Sequence, residues 1–382
     1  MASFWVGDSE FEVSRTTLGA ADEAFVVHSS SREYAVDFLP PLSATADAVL
    51  SAVGGHRQSV LVGDRRVLDL HFRGTDHTPL LALDANEELK SLDGAMHVVD
   101  FLIEAGAGRS SMVFALGGGV IQDVVGFAGG IYKRGIPWTY VPTTLLSQAD
   151  SCIGSKTGIN FKRTKNLLGL FCAPVRVLVH PGFTATLQHQ DLLSGLGEIY
   201  KLCITGGPGC LTTFEEHVDG ALASDAEVLR GLAALSLGIK RPVIEADEFD
   251  SGVRRALNFG HSIGHALESV TEYAIPHGIA VTIGALIESE LSRQQGWLSR
   301  EDFERLVTTG RVLLPPGLAA IVKKVDLNGL LDALGRDKKV EGRTLKLAVP
   351  VAIGRIEFLD FPLDGSSLAD LRSSIRSVVD RL

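Results

Sequence analysis

Arg254, Asn258, His261 and His265 recur at i, i+4, i+7 and i+11 within VRRALNFGHSIGHALE. On one continuous helix from Val253 to Val270 that spacing puts all four on a single face. A solvated face would carry lysine and glutamate, whereas asparagine with two histidines suits a metal or anion site. The plainer alternative is a buried polar network bonded within itself, because unsatisfied polar groups are costly to bury. His-x3-His is a familiar metal spacing, but the glutamate of HExxH is absent, which excludes a zinc protease. Two histidines do not complete a catalytic centre, which usually takes three protein ligands and keeps a position for water or substrate. The best further donors are Glu198, inside GLGEIYK, and His277, at an Ile-Pro-His-Gly turn. Gly260 and Gly264 leave room beside the stripe for another element or a ligand.

A second chemistry lies earlier in the chain. MVFAL (Met112–Leu116) runs into Gly117-Gly118-Gly119 and then VIQD. A strand, a glycine turn and a helix N-terminus can hold a pyrophosphate, since the free N–H groups and the helix dipole favour an anion. The turn is not a GxGxxG fingerprint, so a tight strand-to-helix connection explains it as simply. Asp64, closing LVGD, stands where a strand-end carboxylate takes a ribose hydroxyl. Lys156, Lys165, Lys201, Lys240 and the pair Lys338–Lys339 sit in glycine-rich, polar or apolar surroundings unlike those of surface lysines. GSKTG (154–158) and Lys165-Asn166 resemble phosphate-cradling loops. With Arg254 and Arg134 the set suits a substrate carrying phosphate and carboxylate. No GxxxxGK[ST] pattern occurs, which argues against nucleotide hydrolysis.

Such groups need a scaffold, and its outline is legible. SVLV (59–62), LLAL (80–83), MVFAL and VRVLV (175–179) are apolar runs separated by helix-length segments, the pattern of buried parallel strands alternating with helices. EYAVDF (33–38) reads as another strand; the rest of the first forty residues carries no signal. Pro181-Gly182 marks a boundary. Beyond Thr184, helical spacing runs through Leu192–Ile204, Asp225–Ile239, Val253–Val270, Gly278–Gln294 and Arg300–Thr308, with one β excursion at Leu345–Val351. The expectation is an α/β nucleotide-binding domain over 1–183 and a mainly α domain over 184–382, with ligands in the cleft between them.

Composition narrows the classes. At 382 residues the chain is long enough for two domains. A net charge of −10 without a basic block disfavours nucleic acid. The four cysteines form no CxxC, as expected of reduced thiols. No apolar run reaches the ~20 residues of a membrane span, and no signal peptide opens the chain, so a soluble cytoplasmic protein is expected.

Together, GGGVIQD (117–123), VPTT (141–144), DSCIGSKTGIN (150–160), KNLLG (165–169), EIYK (198–201), NFGHSIGHA (258–266), His277-Gly278 and DKK (337–339) resemble, in order and spacing, the motifs of 3-dehydroquinate synthases and related sugar-phosphate cyclases. The resemblance covers about Asp64 to Val351. It implies a Rossmann-like α/β domain followed by a mainly α domain. It implies that Glu198, His261 and His277 bind a divalent metal, zinc or cobalt, leaving His265 for substrate, in place of the reading in which both helical histidines are ligands. NAD would be held by Asp64, the pair Glu87 and Lys90, Gly118, Gly119, Asp123, Thr143, Thr144 and Lys165. Asp150, Lys156, Asn166, Lys201, Lys240, Arg254, Asn258, His265 and Lys338 or Lys339 would surround the substrate. Arg134 would reach its phosphate from a neighbouring subunit, which implies a homodimer. The implied reaction is transient oxidation of a hydroxyl by NAD, phosphate elimination, reduction, ring opening and aldol-like closure, without net redox change.

Arg254 and Lys240 offer a fork that a carboxylate favours. Cyclases acting on glucose 6-phosphate tend to lack that arginine. Those giving 2-epi-5-epi-valiolone resemble Asp-x-Gly-His-x-x-Ser-Pro where this chain keeps Asn258 and His265. The expected reaction is therefore 3-deoxy-arabino-heptulosonate 7-phosphate to 3-dehydroquinate. Ser155 in place of a usual glycine, Ile279 in place of a usual glutamate, and the unusual Gln122 and Gly129-Gly130-Ile131 keep a sedoheptulose 7-phosphate cyclase of specialised metabolism as the rival. A metal-dependent alcohol dehydrogenase is the rival of another class.

Overall fold

The computed structural model describes residues 2–13, 18, 24–40, 45–55, 58–73, 79–162, 164–335, 340–341 and 344–382. Seven strands form one sheet in the order Phe25–Val27, Tyr34–Phe38, Arg176–Val179, Trp138–Pro142, Met112–Gly117, Ser59–Asp64 and Leu80–Leu83. Every pairing is parallel except that of Phe25–Val27 with Tyr34–Phe38. Val60, Leu61 and Val62 are all buried, so both faces of their strand are covered and no alternation is needed. One core cluster joins Leu61, Phe114, Leu116, Val141 and Leu178 of the strands to Val49, Val53, Leu68, Phe72 and Phe183. Truncating a residue such as Phe114 there would cost about 3–5 kcal/mol. From Ser59–Asp64 the next strand lies on one side and Met112–Gly117 on the other. The strand order therefore reverses between these two, where α/β sheets open a crevice for ligands.

The segments expected to be phosphate-cradling loops are instead a two-stranded antiparallel hairpin, Lys156–Phe161 with Thr164–Phe171. Its glycines serve strand approach: Gly158 and Gly169 face each other, and a Cβ on Gly169 would lie 2.7 Å from the Thr157 carbonyl oxygen.

The chain divides into two compact units. One comprises Ala20–Leu187 with Ser224–Ala234; the other comprises Met1–Gly19, Gln188–Ala223 and Leu235–Leu382. The opening of the chain thus groups with the C-terminal unit and not with the domain over 1–183. Ala2–Val6 pairs parallel with Arg355–Pro362 and antiparallel with Ser9–Val13, in a sheet ordered Val340–Glu341, Thr344–Ala352, Arg355–Pro362, Ala2–Val6, Ser9–Val13. Phe4 and Phe11, whose rings stack at 5.4 Å, bury one face of that ribbon.

Three helices of this unit matter for the site: His189–Gly206, His261–Val270 and His277–Gln294. The expected continuous helix over Val253–Val270 is broken. A 3-10 turn ends at Asn258, Gly260 adopts φ +77°, and a new helix begins at His261. Only glycine fits there, because a Cβ would lie 2.6 Å from the Val281 carbonyl oxygen. The room beside Gly260 and Gly264 is filled by His277–Gln294, where a Cβ on Gly284 would overlap the Gly260 carbonyl. On its other side a Cβ on Gly278 would overlap the Ser194 carbonyl, and one on Gly197 would overlap the Gly278 carbonyl. The three helices meet backbone to backbone. No described helix is long and apolar enough to cross a membrane.

Candidate functional site

The glycine contact of His189–Gly206 with His277–Gln294 sets Glu198, next to Gly197, against His277, next to Gly278. Glu198 Oε1 lies 3.2 Å from His277 Nε2 and 3.6 Å from His261 Nε2. The Glu198 side chain is fully buried. Lys201, one turn on, places Nζ 2.7 Å from Oε2 and donates to the Leu257 carbonyl at 3.2 Å. The outer nitrogens of both imidazoles are engaged: His261 Nδ1 lies 3.2 Å from the Phe259 carbonyl, and His277 Nδ1 lies 3.1 Å from Glu268 Oε2. His265 is exposed, with its ring 5.3 Å from His261 and 5.5 Å from His277. His261, His265 and His277 each offer a nitrogen within 4.8 Å of the others. Both sequence readings of the ligand set therefore draw on one cluster.

Electrostatics prepare this cluster for a cation. Burial works against charge on Glu198, yet the Lys201 ammonium and then the two imidazoles hold its carboxyl well below the usual range. Burial pushes His261 well below its ordinary value, leaving it neutral and able to donate a lone pair. Burial also opposes charge on His277, but hydrogen bonds to Glu198 and Glu268 raise it to about 10, so a cation must displace a proton there. A buried carboxylate beside two imidazoles fits a divalent metal.

Arg254 and Asn258 share the 3-10 turn Val253–Asn258, not the helix of the histidines. Asp247 fixes that turn by accepting from the backbone N–H groups of Ser251, Gly252 and Arg254. The Arg254 guanidinium is buried and donates to the Glu248 carbonyl; Lys240 is buried as well. Asp150 is half-buried in a π turn over Ser147–Ser151, and exposed Lys156 opens the hairpin. Arg134 is exposed at φ +66°. Lys338 and Lys339 lie outside the described residues.

The expected nucleotide residues gather in the other unit, beyond the carboxyl ends of four adjacent strands. Asp64 ends Ser59–Asp64, Glu87 and Lys90 follow Leu80–Leu83, Gly118 and Gly119 follow Met112–Gly117, and Thr143 and Thr144 follow Trp138–Pro142. The Thr143 N–H donates to the Gly117 carbonyl at 3.1 Å, and a Cβ on Gly118 would lie 3.0 Å from Thr144 Cγ2, so these turns touch. Gly119 begins the helix Gly119–Ile131, and a Cβ there would meet open space. None of the described residues requires glycine at that position, and free N–H groups in the first turn of a helix are suited to an anion. Glu87 and Lys90 are engaged by the hairpin and the helix beside it. Lys90 Nζ lies 2.7 Å from Asp123 Oδ2 and donates to Asn166 Oδ1 at 2.7 Å, while Glu87 accepts from Asn160 at 2.8 Å and faces Lys165 at 3.7 Å. Asp123 also accepts from the Gly158 N–H at 2.9 Å, tying helix to hairpin. Asp64 caps the helix Arg65–His71 by accepting from the Arg66 N–H, and burial raises its carboxyl.

The sequence reading missed Glu268 and Tyr34. Glu268 follows His261 and His265 by seven and three residues, so helical spacing could have found it. Tyr34, whose hydroxyl accepts from the Gly154 N–H at 3.0 Å, left no local signal.

Residues 80–194 match the family model for the N-terminal part of 3-dehydroquinate synthase, and residues 195–340 match that for its C-terminal part. A 3-dehydroquinate synthase of Alkaliphilus metalliredigens is 37% identical over 276 residues, 72% of this chain and 77% of that protein. A 2-epi-valiolone synthase of Actinosynnema mirum is 32% identical over 347 residues, 88% of this chain and 90% of that protein. Among solved structures, a 2-epi-5-epi-valiolone synthase from Streptomyces hygroscopicus subsp. jinggangensis with NAD+ and Zn2+ bound matches with a TM-score of 0.74 at 27% identity, over 91% of this chain and 97% of that one.

Proposed function

This chain belongs to the 3-dehydroquinate synthase family, and we propose that it is a metal- and NAD-dependent carbon–oxygen lyase that eliminates phosphate from a seven-carbon sugar phosphate and closes a carbocycle. The observation that carries this reading is the buried Glu198 carboxylate against His261 and His277. Glu198, His261 and His277 would hold a zinc or cobalt ion, and the turns at Asp64, Gly118–Gly119 and Thr143–Thr144, with Asp123 and Lys165, would hold NAD. Bound there, the ion supplies Lewis-acid polarisation of adjacent hydroxyls and the dinucleotide supplies reversible hydride acceptance. A C–H beside the transient ketone is acidic, so elimination needs only a weak base. Lys201 keeps Glu198 ionised and adds positive charge beside it. His265, exposed at the mouth of the cluster, is placed to hold or pass a proton. Arg134, projecting from a left-handed turn, would serve a phosphate held by a second copy of the chain, as a homodimer.

Arg254 and Lys240, both buried, favour a substrate with a carboxylate, hence 3-deoxy-arabino-heptulosonate 7-phosphate giving 3-dehydroquinate. The second reading, a sedoheptulose 7-phosphate cyclase, draws support from the 2-epi-valiolone synthase that aligns over 88% of the chain. Phosphate release from a panel of C6 and C7 sugar phosphates, with NMR of the product ring, separates them. Turnover of the carboxylate substrate should fall about a hundredfold in Arg254→Ala, through loss of a buried charged contact; an equal fall with sedoheptulose 7-phosphate would remove the carboxylate argument. NADH accumulating from a simple alcohol, with no phosphate released from any sugar, would instead favour a dehydrogenase.

A further inference from the structure

We propose that Glu268 is a positioning residue that fixes which nitrogen of His277 faces Glu198, and so selects the donor set a divalent cation meets. This deepens, and rests on, the reading of Glu198, His261 and His277 as ligands. His277 is the first residue of its helix, after Pro276, and its side chain is 33% exposed, so packing alone does not choose between its two ring nitrogens. Hydrogen bonding does. Nδ1 lies 3.1 Å from Glu268 Oε2 on one side of the ring, and Nε2 lies 3.2 Å from Glu198 Oε1 on the other. An Nδ1–H donated to a carboxylate leaves the Nε2 lone pair for a cation and raises its basicity.

The choice has a consequence because a competing set lies close by. The His265 ring stacks against His277 at 27° and 5.5 Å, and His261, His265 and His277 offer nitrogens within 4.8 Å of one another, so an all-histidine set competes with the one that includes Glu198. Glu268 stands on the same helix as His261 and His265, seven and three residues further on. That helix therefore contributes one donor of its own, orients a donor from its neighbour, and keeps His265 out of the metal shell and available to substrate.

The test uses the full chain loaded with zinc alone, its affinity measured by competition with a chromogenic chelator. Glu268→Ala should weaken zinc binding about tenfold to a hundredfold. Glu268→Gln, whose amide oxygen can still accept from Nδ1–H, should lose several-fold less. Affinities within twofold of wild type in both variants would overturn the proposal while leaving the metal reading intact; absence of zinc binding in wild type would overturn both. Nitrogen-15 NMR of the zinc-loaded wild type decides without any variant, should Glu268→Ala fail to fold. A protonated Nδ1 with a zinc-shifted Nε2 on His277 is the expected pattern, and zinc on Nδ1 would refute it.

Discussion

The helical cluster around Glu198 and the strand-end turns around Gly118 are built by opposite means. In the first, a buried carboxylate and its Lys201 counter-ion stand against two imidazoles at a junction whose glycines let helix backbones touch. In the second, the ionisable groups are already matched: Lys90 with Asp123 and Asn166, Glu87 with Asn160, Asp64 with a helix end. The helical cluster is a rigid charge trap that is costly to leave unfilled. The turns form a preorganised surface of N–H groups whose side chains mainly hold it in shape. The difference lies in how each region is held: buried charge at a helix junction in the first, turns at strand ends braced by side chains in the second.

The contrast can be tested most severely at the junction itself. Gly278→Ala puts a methyl group into the Ser194 carbonyl, and neither helix backbone can yield cheaply. A loss of more than about 3 kcal/mol in urea unfolding is expected, together with loss of bound metal. Wild-type stability would show that the helices are not locked as described. Glu198→Gln should come next. It removes the charge a metal needs and the carboxylate beside the buried Lys201 ammonium, so metal content should fall below detection, turnover about a thousandfold, and stability by about 3 kcal/mol. Metal retained at one equivalent would show that the histidines alone form the site.

Gly119→Ala probes the other region. Its Cβ would meet no protein atom, so thermal stability should stay within about 1 kcal/mol of wild type. Affinity for NAD, measured by fluorescence titration, should nevertheless drop about tenfold or more, since the methyl group occupies space meant for a close backbone approach. Unchanged affinity would return this turn to a purely architectural role.

How far the sequence revealed each region follows from the range of the forces that shape it. The strand, glycine turn and helix over 112–131 were legible because apolar run, glycines and helix start are contiguous. The proximity of His261 and His265 followed from helical spacing alone. The break at Gly260 was not legible, because its positive φ answers to Val281 and Ala285, which approach only in the folded chain. Ala2–Val6 escaped notice for a similar reason: its partner, Arg355–Pro362, lies at the far end of the sequence. GSKTG misled because glycine serves strand approach in a hairpin as readily as it serves a phosphate.

The smallest expected effect comes from a charged pair in the helical unit that, unlike Glu198 and Lys201, is partly exposed. Glu215 accepts from Arg305 Nε at 3.0 Å and Nη2 at 2.6 Å, and from the Thr309 hydroxyl at 2.6 Å. Burial works against its charge, but these hydrogen bonds hold its carboxyl below the usual range. Because the folded value lies under the unfolded one, the stabilisation is complete above the unfolded value of about 4.3 and is lost as pH falls through the folded value. The pair is partly exposed and screened by salt, so Glu215→Gln should cost only about 1 kcal/mol near neutral pH. Urea unfolding from neutral pH down to about pH 4 should show the gap between wild type and variant narrowing toward acid. A gap that stays constant would mean the side chain acts through packing and hydrogen bonding that the glutamine fails to reproduce, and not through its charge.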